Sequence, residues 1–305
     1  MKKETYNLKN ALADYAIEWA GKENVLLNSK DGGAYFCDFR ENVFQKKMDE
    51  RFVKMFMNGD GNELVSKASA VHSSSMLGFN FFHWIDKNYP LTINFGEMGI
   101  NTYDTVYFEE KLVVLDGTRP ANMDIILTNS KGDFLFIESK FMEYLKKDRF
   151  SISDTYKYKT DKYLTKEKQW KEFLSSLDYS ETGQYWSGIK QEICHMIAIN
   201  NWIDKKIPIL NRYYDESEVR FINLVFSPDP KSFKKESEDF EKYKTLYEKL
   251  HEQLAQKDLI PKKVVMQFMT YSSLWKSFVT NKMPLKLEEF LKEHYMRFAA
   301  KEDKL

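Results

Sequence analysis

The segment from Pro120 to Lys140, PANMDIILTNSKGDFLFIESK, constrains the fold more than any other part of the chain. Two apolar runs flank Asn129-Ser130-Lys131-Gly132-Asp133, a stretch with the residue chemistry of a tight turn. A strand with one face in water alternates apolar and polar side chains, but Ile125, Ile126 and Leu127 do not alternate, nor do Phe134, Leu135, Phe136 and Ile137. Both faces of this hairpin must therefore be covered. Helices are the natural cover, and the expectation is a mixed α/β core.

Apolar spacing supplies the helices. Val43, Phe52, Met55 and Phe56 predict a helix over 41–58, stopped by Gly59-Asp60-Gly61. A second, from Ser74 to Ile85, is rich in Phe and Met and ends before Pro90; the serines after His72 suit its cap. From Tyr103 the pattern changes to strands, TVYF and LVVLD, followed by the hairpin. SGIKQEICHMIAINNWI then reads as a buried helix, and VRFINLVF as a buried strand closed by Ser227-Pro228-Asp229-Pro230. Beyond it, Phe240, Tyr243, Leu246, Leu250 and Leu254 mark an amphipathic helix. A coiled-coil homodimer is a second reading of that stripe. VVMQFMTY reads as a further strand, SSLWKSFV as a helix, and LEEFLKEHYMRFAAKEDKL as a charged helical end. With no repeat and no low-complexity linker, the simplest parse is a core over 71–228 with mainly helical extensions over 1–70 and 229–305.

The hairpin also carries chemistry. A turn centred on Lys131 pairs positions whose numbers sum to 262, so Asp124 falls opposite Glu138, with Lys140 on the same face. Two buried carboxylates a few ångströms apart need a cation, and one lysine leaves the site anionic. A hard divalent ion, Mg²⁺ or Mn²⁺, prefers such oxygen ligands. It would polarise a phosphodiester and acidify a water, while Lys140 orients that water or neutralises the phosphate.

These residues resemble a known group. An acid at the start of one strand followed by Glu-x-Lys at the end of the next is the signature of the PD-(D/E)XK nuclease superfamily. Here it is similar to Pro120-Ala121-Asn122-Met123-Asp124 and Glu138-Ser139-Lys140, with Pro and Asp further apart than in the name. The order helix, three strands, helix, strand resembles the superfamily's α-β-β-β-α-β core over about residues 70–228. HSSSMLGFNFF, PANMDIIL, FIESKFMEYL and GIKQEICHMIAI together resemble the PGN_0703-like restriction endonucleases of bacteria. Gln191 and His195, four apart on one helical face, resemble the Gln-x-x-x-Tyr motif of RecB-type nucleases, with His in place of Tyr.

The resemblance implies a restriction-endonuclease-like mixed sheet flanked by helices and a nuclease acting on double-stranded DNA. It implies Asp124, Glu138, Lys140 and Gln191 as catalytic residues and Asp124, Glu138 and Ser139 around the metal. An upstream glutamate also belongs to many such sites; Glu97, Glu109 and Glu110 are the candidates, and His195 is a candidate helper by hydrogen bonding.

Bland readings stand beside these. Glu109-Glu110-Lys111 and Glu302-Asp303-Lys304 match Glu-x-Lys as well, and such triplets are mostly surface pairs; only the strand-end placement sets residues 138–140 apart. Charge is balanced, 46 basic against 46 acidic residues, so net charge says nothing of nucleic acid. The insertion over 141–186 is locally basic, with aromatic residues interleaved, and Lys157, Lys159 and Lys162 are its candidate phosphate contacts. The alternative is a solvated lysine-rich loop. Two distant cysteines and the lack of a long apolar run fit a soluble cytoplasmic protein away from membranes. No G-x-S-x-G elbow, Walker loop, Rossmann glycine pattern or H-E-x-x-H motif occurs. The competing functions are an inactive nuclease-fold protein that binds nucleic acid, and a metal-dependent phosphoesterase of small nucleotides.

Overall fold

Strand β7 (Phe134–Lys140) is buried along its whole length, and the molecule is built outward from it. The computed structural model describes residues 7–59, 64, 67–143, 161–177, 186–280 and 283–301. Within these, β5 (Thr105–Leu112), β6 (Ala121–Thr128), β7, β8 (Val219–Val225) and β9 (Val264–Thr270) form a five-stranded mixed sheet in that spatial order. The first three strands form an antiparallel meander, whereas β8 and β9 run parallel to β7. The parallel pairs need long crossovers. Helices α4 (Glu167–Ser176) and α5 (Trp186–Ile203) lie between β7 and β8, and α6 (Lys234–Gln256) lies between β8 and β9.

Local chemistry fixes the hairpin. The Asn129 side-chain oxygen accepts from the amides of Lys131 (3.0 Å) and Asp133 (3.1 Å), closing an Asx-type turn. Gly132 sits at φ 91°, where L side chains are strained. The resulting register, Ile125 with Ile137 and Leu127 with Leu135, has the predicted sum of 262.

The sheet separates two apolar layers. Ile125, Leu127, Leu135, Ile137, Ile222 and Leu224 pack with α1 (Leu8–Glu23), α2 (Glu50–Asn58) and α3 (Ser74–Phe82). Helices α7 (Tyr271–Lys276) and α8 (Leu285–His294) join that layer, so segments near both ends of the chain share one core. Ile126, Phe134, Phe136, Val219 and Phe221 face the other way, onto α4, α5 and α6. Helix α3 approaches closely because position 78 is glycine: a Cβ there would lie 2.9 Å from Ile125 Cδ1. The Ser73 hydroxyl caps α3 by accepting from the Met76 amide.

Several expectations change. The helix predicted over 41–58 begins only at Glu50, because Gln45 and Lys46 adopt left-handed backbone conformations and residues 39–46 form short 3₁₀ turns instead. LVVLD is not a strand of its own: Leu112 closes β5, and Val114 and Leu115 are buried beyond it. Strands β3 (Leu91–Asn94) and β4 (Ile100–Tyr103), unforeseen, pair with β10 (Phe278–Thr280) in a separate sheet, and a two-stranded hairpin of β1 (Leu27–Lys30) and β2 (Gly33–Phe36) follows α1. Phe141 and Trp170, read as interleaved aromatics of a basic surface, are fully buried core residues. Among the described residues, no helix is long and apolar enough to cross a membrane.

Candidate active site

The ladder between β6 and β7 stops one pair short of the acids. Beyond Ile125 and Ile137, the Asp124 side chain takes over: its Oδ2 accepts the Ser139 amide at 2.7 Å. On the other neighbour, the residue in register with Asp124 is Glu109, held at φ 54° between the pairs Phe108–Ile125 and Glu110–Met123. This left-handed residue breaks the alternation of both strands. Val106, Phe108 and Ile125 enter the α3 side of the core, whereas Leu112 and Met123 enter the α5 side. Asp124 thus lies at a kink, where a side chain replaces a main-chain pair.

Glu138 and Lys140 project from β7 toward α5. The Lys140 ammonium donates to Glu138 Oε1 and, at 2.8 Å, to the Gln191 side-chain oxygen. His195, one helical turn beyond Gln191, places Nδ1 3.4 Å from Glu138 Oε2 and Nε2 3.0 Å from the Asn122 carbonyl. Ile189, Ile193, Met196 and Ile197 bury the rest of that helical face. Glu138 and His195 are wholly buried, Asp124 is half-buried and Gln191 is exposed.

A further acid was not singled out from the sequence. Glu192 is fully buried, and neither carboxylate oxygen has a hydrogen-bond partner. A signal existed: Glu192 stands three residues after Ile189 and four before Met196, inside the apolar stripe, where a charged residue requires an explanation. Asn223 on β8, likewise not singled out, donates a 2.9 Å hydrogen bond to the hydroxyl of Tyr243 on α6, a residue read from the sequence only as part of an apolar stripe.

The electrostatics are those of too many acids for one cation. Burial, then the Glu138 charge, pushes Asp124 up to about 7. Burial likewise raises Glu138, against the pull of Lys140, and holds Glu192 well above the usual carboxylate range, reinforced by Glu138. Burial opposes the charge on Lys140, but Glu138 and Asp124 outweigh it and keep the ammonium protonated. Burial brings His195 down to about 4, against the Asp124 charge, so the imidazole is neutral.

Other predicted residues fall elsewhere. The Ser139 hydroxyl points to the opposite face, 2.7 Å from the Tyr271 hydroxyl, so only its main chain borders the acids. Glu110 pairs with Met123 and is half-buried, with its carboxyl raised by burial; Glu97 is exposed. Lys157 and Lys159 lie outside the described residues. Lys162 is exposed, 3.2 Å from Asp116 and over the Tyr163 ring.

The sheet order and its flanking helices define a mixed α/β protein. Comparison with known proteins gives the family: residues 9–296 match the family described as restriction endonuclease associating with ARP (REase-ARP), and the chain belongs to it. No curated protein and no solved structure matches the chain.

Proposed function

We propose that the chain is a PD-(D/E)XK-type nuclease that hydrolyses phosphodiester bonds in double-stranded DNA with the help of Mg²⁺ or Mn²⁺. The observation that carries this reading is the convergence of Asp124, Glu138 and Lys140 at adjoining strand ends, close enough for each charge to act on the others, in a member of a restriction-endonuclease family.

The residues present fit a divalent ion. Glu138 Oε2 is buried without a donor, and among the described residues Lys140 is the cation set beside Asp124, Glu138 and Glu192. Among the described residues no group of three or more His, Cys, Asp or Glu side chains forms a ready metal cage. Asp124, Glu138 and a main-chain oxygen of Ser139 would hold the ion, with water completing the shell, as Mg²⁺ prefers. When bound, the ion supplies Lewis-acid polarisation of the phosphate and an acidified water. Lys140 holds the attacking water and offsets charge growing on the phosphoryl oxygens. Gln191 positions the Lys140 ammonium, and the apolar layer around Ile189 and Ile193 limits bulk water.

Plasmid DNA incubated with the protein is expected to be cut in Mg²⁺ or Mn²⁺ and spared in excess EDTA, with Ca²⁺ binding but giving little turnover. Undiminished cutting in EDTA would refute the metal-dependent reading.

Gln191 gives a second check. Gln191→Ala removes the acceptor that aims Lys140 but no core contact, so turnover should fall ~10–100-fold while stability changes by no more than ~1 kcal/mol. A large loss of melting temperature with turnover per folded molecule preserved would make Gln191 structural.

A further inference from the structure

We propose that His195 is a nitrogen ligand of the divalent ion, and that it tilts the site toward Mn²⁺ over Mg²⁺. The proposal rests on the reading of Asp124 and Glu138 as metal ligands, but its argument is separate. A carbonyl oxygen only accepts hydrogen bonds, so His195 Nε2, 3.0 Å from the Asn122 carbonyl, must carry the ring proton. In a neutral imidazole this leaves a lone pair on Nδ1. That lone pair faces Glu138 Oε2 across 3.4 Å, and both atoms are buried with no hydrogen-bond partner. Two acceptors facing each other away from water repel, and such a pair needs a cation between them.

Lys140 does not fill that role. Its ammonium is committed to the other Glu138 oxygen, Oε1, and to Gln191. An ion shared by Glu138 Oε2 and His195 Nδ1 would satisfy both orphaned atoms at once. The main-chain bond to Asn122 is also the partner that metal-bound histidines ordinarily use, since it fixes the tautomer and turns the other nitrogen to the metal. His195 comes from the wall of α5 opposite the acid-bearing strands, so the ion would tie helix to sheet. A nitrogen ligand changes selectivity. Mg²⁺ favours all-oxygen shells, whereas imidazole suits first-row transition ions such as Mn²⁺. The rival occupant of the gap is a proton shared between Glu138 and His195.

The test is electron spin-echo spectroscopy of Mn²⁺ bound to the full-length wild-type protein, which needs no variant. Directly bound imidazole nitrogen should modulate the echo, and its frequencies should move when histidine is labelled with ¹⁵N. His195→Gln keeps a donor for the Asn122 carbonyl while removing the Nδ1 lone pair. It should abolish the modulation, weaken Mn²⁺ binding ~10-fold or more and change Mg²⁺ binding less than ~3-fold, measured by titration calorimetry. Mn²⁺ bound without histidine modulation in the wild type would overturn the ligand assignment while leaving the nuclease reading intact. Modulation that survives in a folded His195→Gln protein would assign it to another histidine and overturn the proposal equally. Failure of the wild type to bind either ion would remove the metal site itself, and this inference with it.

Discussion

Asp124→Asn is expected to lower DNA cleavage by on the order of 10³-fold while raising the melting temperature of the metal-free protein. Loss of a ligand charge weakens the metal's hold and its stabilisation of the transition state, effects of several kcal/mol. Stability moves the other way because the acids are crowded: burial and Glu138 push Asp124 up to about 7. A carboxyl whose folded-state pKa lies above its unfolded value, ~3.9, keeps its proton in the folded chain while the unfolded chain loses it. The contribution of Asp124 to wild-type stability therefore declines as pH rises from ~4 to about 7. Asparagine does not titrate, still offers an oxygen to the Ser139 amide, and brings an NH₂ group to a donor-poor pocket. The gain should be near zero at pH 4 and ~1–3 kcal/mol at pH 8 in EDTA. Melting curves of both proteins at those two pH values check this. A variant no more stable than wild type at pH 8 would show that the acids are not in conflict.

Much of this arrangement was legible because it rests on short-range rules. The turn at Asn129–Asp133 sets the register, which turns Glu138 and Lys140 to the α5 side and brings Asp124 one position past the last pair, where its carboxylate accepts the Ser139 amide. Helical spacing then put Gln191 and His195 on one stripe, and a polar stripe on a buried helix requires partners; the structure supplies Lys140 and Glu138. What stayed hidden depends on distant contacts. Nothing local shows that Glu109 will adopt a left-handed conformation, yet that residue turns Leu112 and Met123 to the other side of the sheet. Nor does local sequence show that Phe141 and Trp170 leave a basic segment for the core. The 41–58 region has helical apolar spacing, but Asn42 ties down a loop by donating to the Ala68 and Ala70 carbonyls, and the Phe44 amide donates to Asn80. Tertiary hydrogen bonds there outweigh a modest helical preference.

Lys140→Met separates the two tasks of the lysine. Methionine keeps most of the apolar stem and removes the ammonium, so any change reports the charge more than packing. Turnover should fall ~10²–10³-fold, since neither the attacking water nor the growing phosphoryl charge retains a cationic partner from the protein. The stability effect should depend on pH. Lys140 is protonated throughout the neutral range, so in the wild type Glu138 has a countercharge whenever it is ionised. Without it, Glu138 is a buried carboxylate with no countercharge, and burial already raises its pKa. Breaking a buried ion pair by deleting one partner costs ~3–5 kcal/mol when the survivor must stay charged. Below its raised pKa, Glu138 escapes by taking a proton, so the deficit should be small at pH 5 and grow as pH rises through neutrality. Glu138→Gln on the Lys140→Met background removes the stranded charge and should recover most of the stability at pH 8 with no recovery of cleavage. Denaturant unfolding in EDTA at pH 5 and pH 8 measures this. A pH-independent deficit, or one untouched by Glu138→Gln, would mean that Lys140 stabilises the fold through its packing and not by neutralising Glu138.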